Sequence, residues 1–98
     1  MEVEFADDDL ERLYSDPSFS LGLSVALVRA YRKVVGLIHS VRDERDLRAI
    51  KSFHFEKLRG ERSHQHSLRL NNQYRLIIEL TGKGAAKIVI IIDIVDYH

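Results

Sequence analysis

Residues 74–95 read YRLIIELTGKGAAKIVIIIDIV, and the fold turns on how this stretch is read. Tyr74 to Leu80 is a run of large apolar residues broken by Arg75 and Glu79, the composition of a strand. Thr81-Gly82-Lys83-Gly84 has the glycines of a tight turn. Lys87 to Val95 is almost all Ile and Val, the pattern of a buried strand. Two strands joined so closely pair antiparallel. Within the second, Ile88, Ile90, Ile92 and Ile94 share one face, and Val89, Ile91, Asp93 and Val95 the other. The first set is uniformly apolar and is predicted to lie under the rest of the molecule.

The same period of two runs upstream. Asn71-Asn72 suits a turn, Ser67-Leu68-Arg69-Leu70 alternates before it, and Phe53 and Phe55 alternate with His54 and Glu56. Before residue 53 the period changes. In SLGLSVALVRAYRKVVGLIHSV, Leu23, Leu27, Ala30, Tyr31, Val34 and Ile38 recur at spacings of three and four, which predicts an amphipathic helix. Arg29, Arg32 and Lys33 fall on its polar side. Such a stripe is read as core, not as a partner surface. Asp7 or Asp8 can cap an earlier helix carrying Leu10, Leu13 and Tyr14, and Ser15-Asp16-Pro17-Ser18 breaks it. DERDLRAI predicts a short helical turn packing Leu47 and Ile50 inward, and Val3-Glu4-Phe5 a short first strand. The expectation is an α+β fold: N-terminal helices packed on one face of a small, twisted, mainly antiparallel sheet. With 98 residues, the chain is read as a single domain, 1–98.

Composition narrows the chemistry. There is no cysteine, which excludes disulfides, thiolate catalysis and cysteine-based zinc sites. The acidic start, MEVEFADDDLERLY, is unlike a signal peptide, and no apolar run reaches the roughly 20 residues that span a bilayer. A cytoplasmic protein without membrane contact is expected. Formal net charge is zero, yet the charges are segregated. Glu2, Glu4, Asp7, Asp8, Asp9, Glu11 and Asp16 crowd the first 16 residues. Arg42, Arg45, Arg48, Lys51, Lys57, Arg59, Arg62, Arg69 and Arg75 lie between 42 and 75. Zero net charge gives no bulk attraction to polyanions, whereas a local basic face permits it.

Three places carry residues able to do chemistry. The last strand ends on Asp96, Tyr97 and His98: a carboxylate, a phenol and an imidazole that together suit general acid–base catalysis. The plain reading is the polar end of a strand. Arg75 sits within an apolar strand, where a guanidinium needs an anion or acceptors; phosphate fits its planar fork, and a salt bridge to Asp93 or Asp96 is the simpler alternative. KLRGERSHQHSLRL offers Lys57, Arg59, Arg62 and Arg69 to a phosphate backbone. His64 and His66 would share a strand face there, but two histidines without a matched third ligand make no metal site, and none is expected. No phosphate loop, nucleophile elbow or HExxH motif is present.

The segment FEKLRGERSHQHSLRLNNQYRLIIEL, with a final strand ending IVDYH, resembles the HigB-type toxins of the RelE superfamily. The resemblance rests on Leu58-Arg59-Gly60, Ser67-Leu68-Arg69, the turn Asn71-Asn72, the pair Tyr74-Arg75 and the terminal Asp96-Tyr97-His98, in that order across residues 53–98. It implies a metal- and cofactor-independent endoribonuclease, an mRNA interferase, that cuts transcripts on the translating ribosome and is neutralised by a HigA-type antitoxin with a helix-turn-helix domain. It further implies attack of a ribose 2′-hydroxyl on the adjacent phosphate. His98 and Tyr97 would transfer protons, Arg75 would clamp the phosphate, and Asp96 would orient His98 or touch the nucleotide. Lys57, Arg59, Arg62 and Arg69 would hold RNA, and His66 would stack on a base or touch a phosphate. His54 keeps the strand parity of Glu56 without an assigned role. Two readings compete: a basic RNA- or ribosome-binding module without cleavage, and an interaction domain whose basic face meets an acidic protein segment. Only the nuclease needs Tyr97 and His98 at a fixed place beside Arg75.

Overall fold

The computed structural model describes residues 1–82 and 87–97. Helices form where a capping side chain and an apolar stripe coincide. The Asp7 carboxylate accepts the Leu10 N–H at 2.8 Å and opens α1 (Asp8–Ser15). The Ser24 hydroxyl accepts from Leu27 N at 3.2 Å and opens α2 (Val25–Ser40). Asp43 accepts from the backbone of Arg45 and Asp46 and opens α3 (Glu44–Ala49). Each satisfies donors that a first helical turn leaves open. The expected break after α1 is built by Asp16, whose carboxylate accepts from both the backbone and the hydroxyl of Ser18. α2 starts only at Val25 because Leu21 and Gly22 both adopt left-handed backbone, with φ of 54° and 72°.

Arg32 is not on a solvated face, as its spacing suggests. Its Nε donates to Leu13 O at 2.9 Å, and its terminal nitrogen donates to Asp16 O and Phe19 O at 3.0 and 3.1 Å. It thereby occupies carbonyls that the end of α1 and the following loop expose. Tyr31, wholly buried, donates its hydroxyl to Leu10 O at 2.7 Å and ties α2 to α1. Tyr31→Phe removes this buried tie between the helices and is expected to cost about 0.5–1.5 kcal/mol, a fall in thermal midpoint of roughly 2–12 °C for a domain of this size. Burial, foremost, holds the Tyr31 phenol above its ordinary value of 10.0. The folded state therefore binds that proton more tightly. The associated stability is complete below the unfolded pKa and is lost as pH rises beyond it.

The sheet has five strands in the order β1 (Glu2–Phe5), β5 (Ile88–Asp96), β4 (Tyr74–Thr81), β3 (Gln65–Arg69), β2 (Glu56–Lys57). β1 runs parallel to β5 and the other pairs are antiparallel, so the sheet is mixed. The core joins Leu10, Leu13, Tyr31, Val35, Ile38 and Leu47 of the helices to Leu68, Leu76, Ile78, Val89 and Ile91 of the sheet. The α+β expectation holds, and the expected strand at Phe53 is replaced by a 3-10 turn, Lys51–Phe53. The turn expected at Thr81–Gly84 extends outside the described residues.

The face assignment of β5 is corrected. Val89 and Ile91, not Ile88 and Ile90, lie under the helices. The register explains why. Ile78 pairs with Ile91 but Ile77 with Asp93, so Ile92 is an extra residue, a β-bulge that switches parity and brings Ile94 to the core side. Both alternating sets are apolar over 88–92, so only the pairing decides between them. No helix among the described residues is long and apolar enough to cross a membrane.

Candidate functional site

Cross-strand partners share a face, so the register maps the side of the sheet turned from the helices. One lateral row is Val95–Arg75–Arg69. The next is Asp93–Ile77–Ser67–Glu56. A third is Glu4–Ile90–Glu79–Gln65, and Glu2–Ile88–Thr81 closes the series. At the opposite end of this open face, Tyr97 follows β5.

Arg75 and Tyr97 meet there. The Arg75 guanidinium carbon lies 5.4 Å from the Tyr97 ring centre. Tyr97 is 54% exposed, so burial does not hold it. Its backbone N–H, donated to Gln73 O at 2.7 Å, and its ring contact with Arg75 do. Arg75 donates to His54 O at 2.6 Å and reaches Ser67 O at 3.5 Å, while its Nε is buried and unpartnered. The salt bridge to Asp93 or Asp96 is not among the ion pairs of the described residues. Asp93 accepts instead from Ile94 N at 2.8 Å, and Asp96 accepts from Gln73 Nε2 at 2.9 Å. By register Asp96 pairs with Tyr74, on the parity opposite Arg75. His98 lies outside the described residues.

The turn before β4 sets this geometry. The Asn71 side chain accepts from Gln73 N and Tyr74 N at 2.9 and 2.8 Å, the local bonding that makes asparagine a turn residue. Asn71 O and the Asn72 amide oxygen also accept from Arg69, tying its guanidinium to the turn. Arg69 and Arg75 are direct cross-strand partners. Like charges so placed repel unless an anion lies between them. A guanidinium beside a phenol can hold an anionic oxygen and donate to it.

The other candidates separate. Arg62 reaches the open face by donating to Gln65 Oε1 at 2.9 Å; Gln65 in turn donates to Glu79, to which His64 also bonds at 3.0 Å. Lys57 is exposed and takes the parity of the helix side. Arg59 is exposed just before the 3-10 turn Gly60–Arg62. His66 is buried on the helix side, its ring 4.8 Å from that of Phe55. His64 and His66 thus part to different surroundings, and no group of three potential metal ligands occurs among the described residues.

Burial, foremost, lowers the His66 pKa, with Arg48, Lys57 and Lys87 adding to it and Glu44 opposing. The unfolded chain therefore takes up this proton more readily. Stability is full above the unfolded value near 6.5 and is lost as pH falls through the folded one. The urea midpoint is expected to drop between pH 7.5 and 5, and to drop less in His66→Phe.

Sequence reading missed what seats Arg75. His54 contributes its carbonyl, aimed by a left-handed backbone of φ 45°, and Ser67 contributes another. The strand parity of Ser67 and Arg69 was the available signal for the second; none existed for the first.

The profile of the HigB-like toxins, described as RelE-like toxin of type II toxin-antitoxin system HigB, matches residues 3–98. The chain belongs to that family. Toxin HigB-1 of Vibrio cholerae (serotype O1, strain ATCC 39315 / El Tor Inaba N16961) is 32% identical over 79 residues, covering 81% of this chain and 83% of the relative. A YoeB/ParE toxin from Agrobacterium tumefaciens superposes with a TM-score of 0.60 over 100% of both chains, at 17% identity, a likeness of fold alone. The chain is thus a HigB-type toxin of a type II toxin–antitoxin system, in the RelE superfamily, and an antitoxin is its implied partner. Within this HigB-like toxin the end of the sheet bearing Arg75 and Tyr97 is the candidate site.

Proposed function

We propose that this toxin is a ribosome-dependent endoribonuclease that cuts mRNA without a metal ion or cofactor and so blocks translation. The observation that carries the reading is the approach of Tyr97 to the Arg75 guanidinium on the open face, with Arg69 directly across from Arg75. Two arginines at partnered strand positions favour an anion, and a phosphodiester supplies one.

In the proposed reaction the ribose 2′-oxygen attacks phosphorus and loses its proton to a base. The bond from phosphorus to the 5′-oxygen breaks, and an acid protonates that oxygen. The products are a cyclic phosphate and a 5′-hydroxyl. Tyr97 and His98 are the proposed proton carriers. Arg75, its approach fixed by the His54 carbonyl, offsets charge as it builds on the phosphate. Asp96 is proposed to contact the nucleotide or orient His98. Lys57, Arg59, Arg62 and Arg69 are proposed to hold the RNA backbone. His66, buried against Phe55, would need its ring freed to contact RNA, so we give it a packing role.

Dependence on the ribosome accords with the zero net charge, which provides little attraction to free RNA. The neutralising partner is proposed to be a HigA-type antitoxin with a helix-turn-helix domain. Mapping transcript 5′ ends after inducible expression, with and without translation, tests the reading. Cuts confined to translated transcripts are expected. Cuts that persist without ribosomes would indicate a free ribonuclease, and growth arrest without any cuts a binding module.

A further inference from the structure

The open face has a second end that the proposed chemistry does not use. There Ile88 and Ile90 point away from the helices and form a short apolar track; further along the same face Ile77 is wholly buried, and Val95 lies beside Arg75. Neither Ile88 nor Ile90 belongs to the hydrophobic core, which takes only Val89, Ile91 and Ile94 from β5. Ile88, Ile90 and Val95 remain half-buried. Carboxylates flank this track: Glu2 beside Ile88, Glu4 beside Ile90, and Asp93 beside Ile77, all three exposed. The Ser67 hydroxyl, wholly buried and unpartnered, lies on the same face in the row of Asp93 and Ile77. One face of one sheet thus runs from the Arg69–Arg75 row to an acid-rimmed apolar strip.

We propose that this strip is a docking surface for a segment of the antitoxin that has an apolar centre flanked by lysine or arginine. The proposal rests on the toxin–antitoxin reading and assigns the contact within it. Charge complementarity selects the occupant. An RNA backbone would set its phosphates against Glu2, Glu4 and Asp93, so nucleic acid is confined to the Arg69–Arg75 end. A second copy in a two-fold contact would place each carboxylate rim against its own image, and a head-to-tail contact would not close. A basic, apolar segment covers the isoleucines and neutralises the rim at once. It would also lie beside the Arg75 end, where its bulk narrows access to the phosphate site.

The experiment compares wild type, Glu2→Lys/Glu4→Lys and Ile90→Ser, with the purified antitoxin encoded beside this toxin as the probe. Binding is measured by titration calorimetry at low and moderate salt. The double charge reversal is expected to weaken binding by about tenfold or more at low salt and to flatten its salt dependence. Its thermal midpoint and its cutting of transcripts should match wild type, since both glutamates are exposed and outside the phosphate site. Ile90→Ser should weaken binding while leaving the salt dependence unchanged. Equal affinity in all three proteins overturns the proposal. So does self-association of the free toxin that the charge reversal abolishes, which would make a second copy the occupant. If wild type never cuts transcripts and the charge reversal still weakens antitoxin binding, the ribonuclease reading falls and the docking surface stands.

Discussion

Replacing Arg75 by methionine is expected to reduce transcript cutting in a translating extract by about 10²–10³-fold, the usual loss when one fixed donor to a developing oxyanion is removed. Methionine keeps an apolar stem in the half-buried position, so the sheet should survive. Any loss of fold would show as a lowered thermal midpoint and weakened antitoxin binding, neither of which is expected. The geometry makes the effect specific to this arginine. Its guanidinium is committed to the His54 and Ser67 carbonyls and carries an unpartnered Nε, so its position is set before any substrate arrives. Lysine offers a point charge on a flexible stem and lacks the fork, so Arg75→Lys should recover only part of the lost rate. Full cutting by Arg75→Met in a folded protein would remove the phosphate clamp from the mechanism.

Tyr97→Phe carries the second large effect. The phenylalanine ring can still sit over the Arg75 guanidinium, and the backbone bond to Gln73 O is untouched. What disappears is the hydroxyl alone. If that hydroxyl moves a proton or donates to the phosphate, the rate constant for cleavage falls by about 10²–10⁴-fold, with little change in how tightly the toxin engages its substrate. A change confined to substrate affinity would instead make Tyr97 a platform. Deleting Tyr97 and His98 together should abolish growth arrest, with the fold and antitoxin binding retained. A folded truncation that arrests growth as strongly as wild type would end the assignment of the tail to catalysis.

These effects depend on an asymmetry in how the chain encodes its fold and its site. The helices were legible because their signals are local: apolar residues at three- and four-residue spacing, with an acceptor at Asp7 opening the first; the Ser24 and Asp43 caps emerged only in the structure. The turn at Asn71-Asn72 was legible for the same reason, since the Asn71 side chain bonds its own neighbours. The last strand was legible as a strand but not as a surface. Residues 88–92 are apolar on both faces, so the pattern could not say which isoleucines meet the helices. The bulge at Ile92 then exchanged the parities. The surroundings of Arg32 and His66 were not legible for a related reason. A charged or polar residue reads as exposed unless the loop carbonyls it will meet, or the neighbouring strand it will slide under, are already in place.

By itself the sequence determined the α+β order of elements, the resemblance to HigB-type toxins and the choice of Tyr97 and Arg75 as candidates. All of these follow from short-range spacing or from residue identity. Tertiary structure alone decided that Arg75 binds backbone carbonyls and pairs with no carboxylate among the described residues, that His66 turns into the helix side, and that the open face divides into a basic end and an acid-rimmed apolar end. The reason is that a sheet brings together residues 86 positions apart, such as Glu2 beside Ile88 and Glu4 beside Ile90. Whether two side chains become neighbours there depends on register, and a single extra residue in one strand reverses every face beyond it.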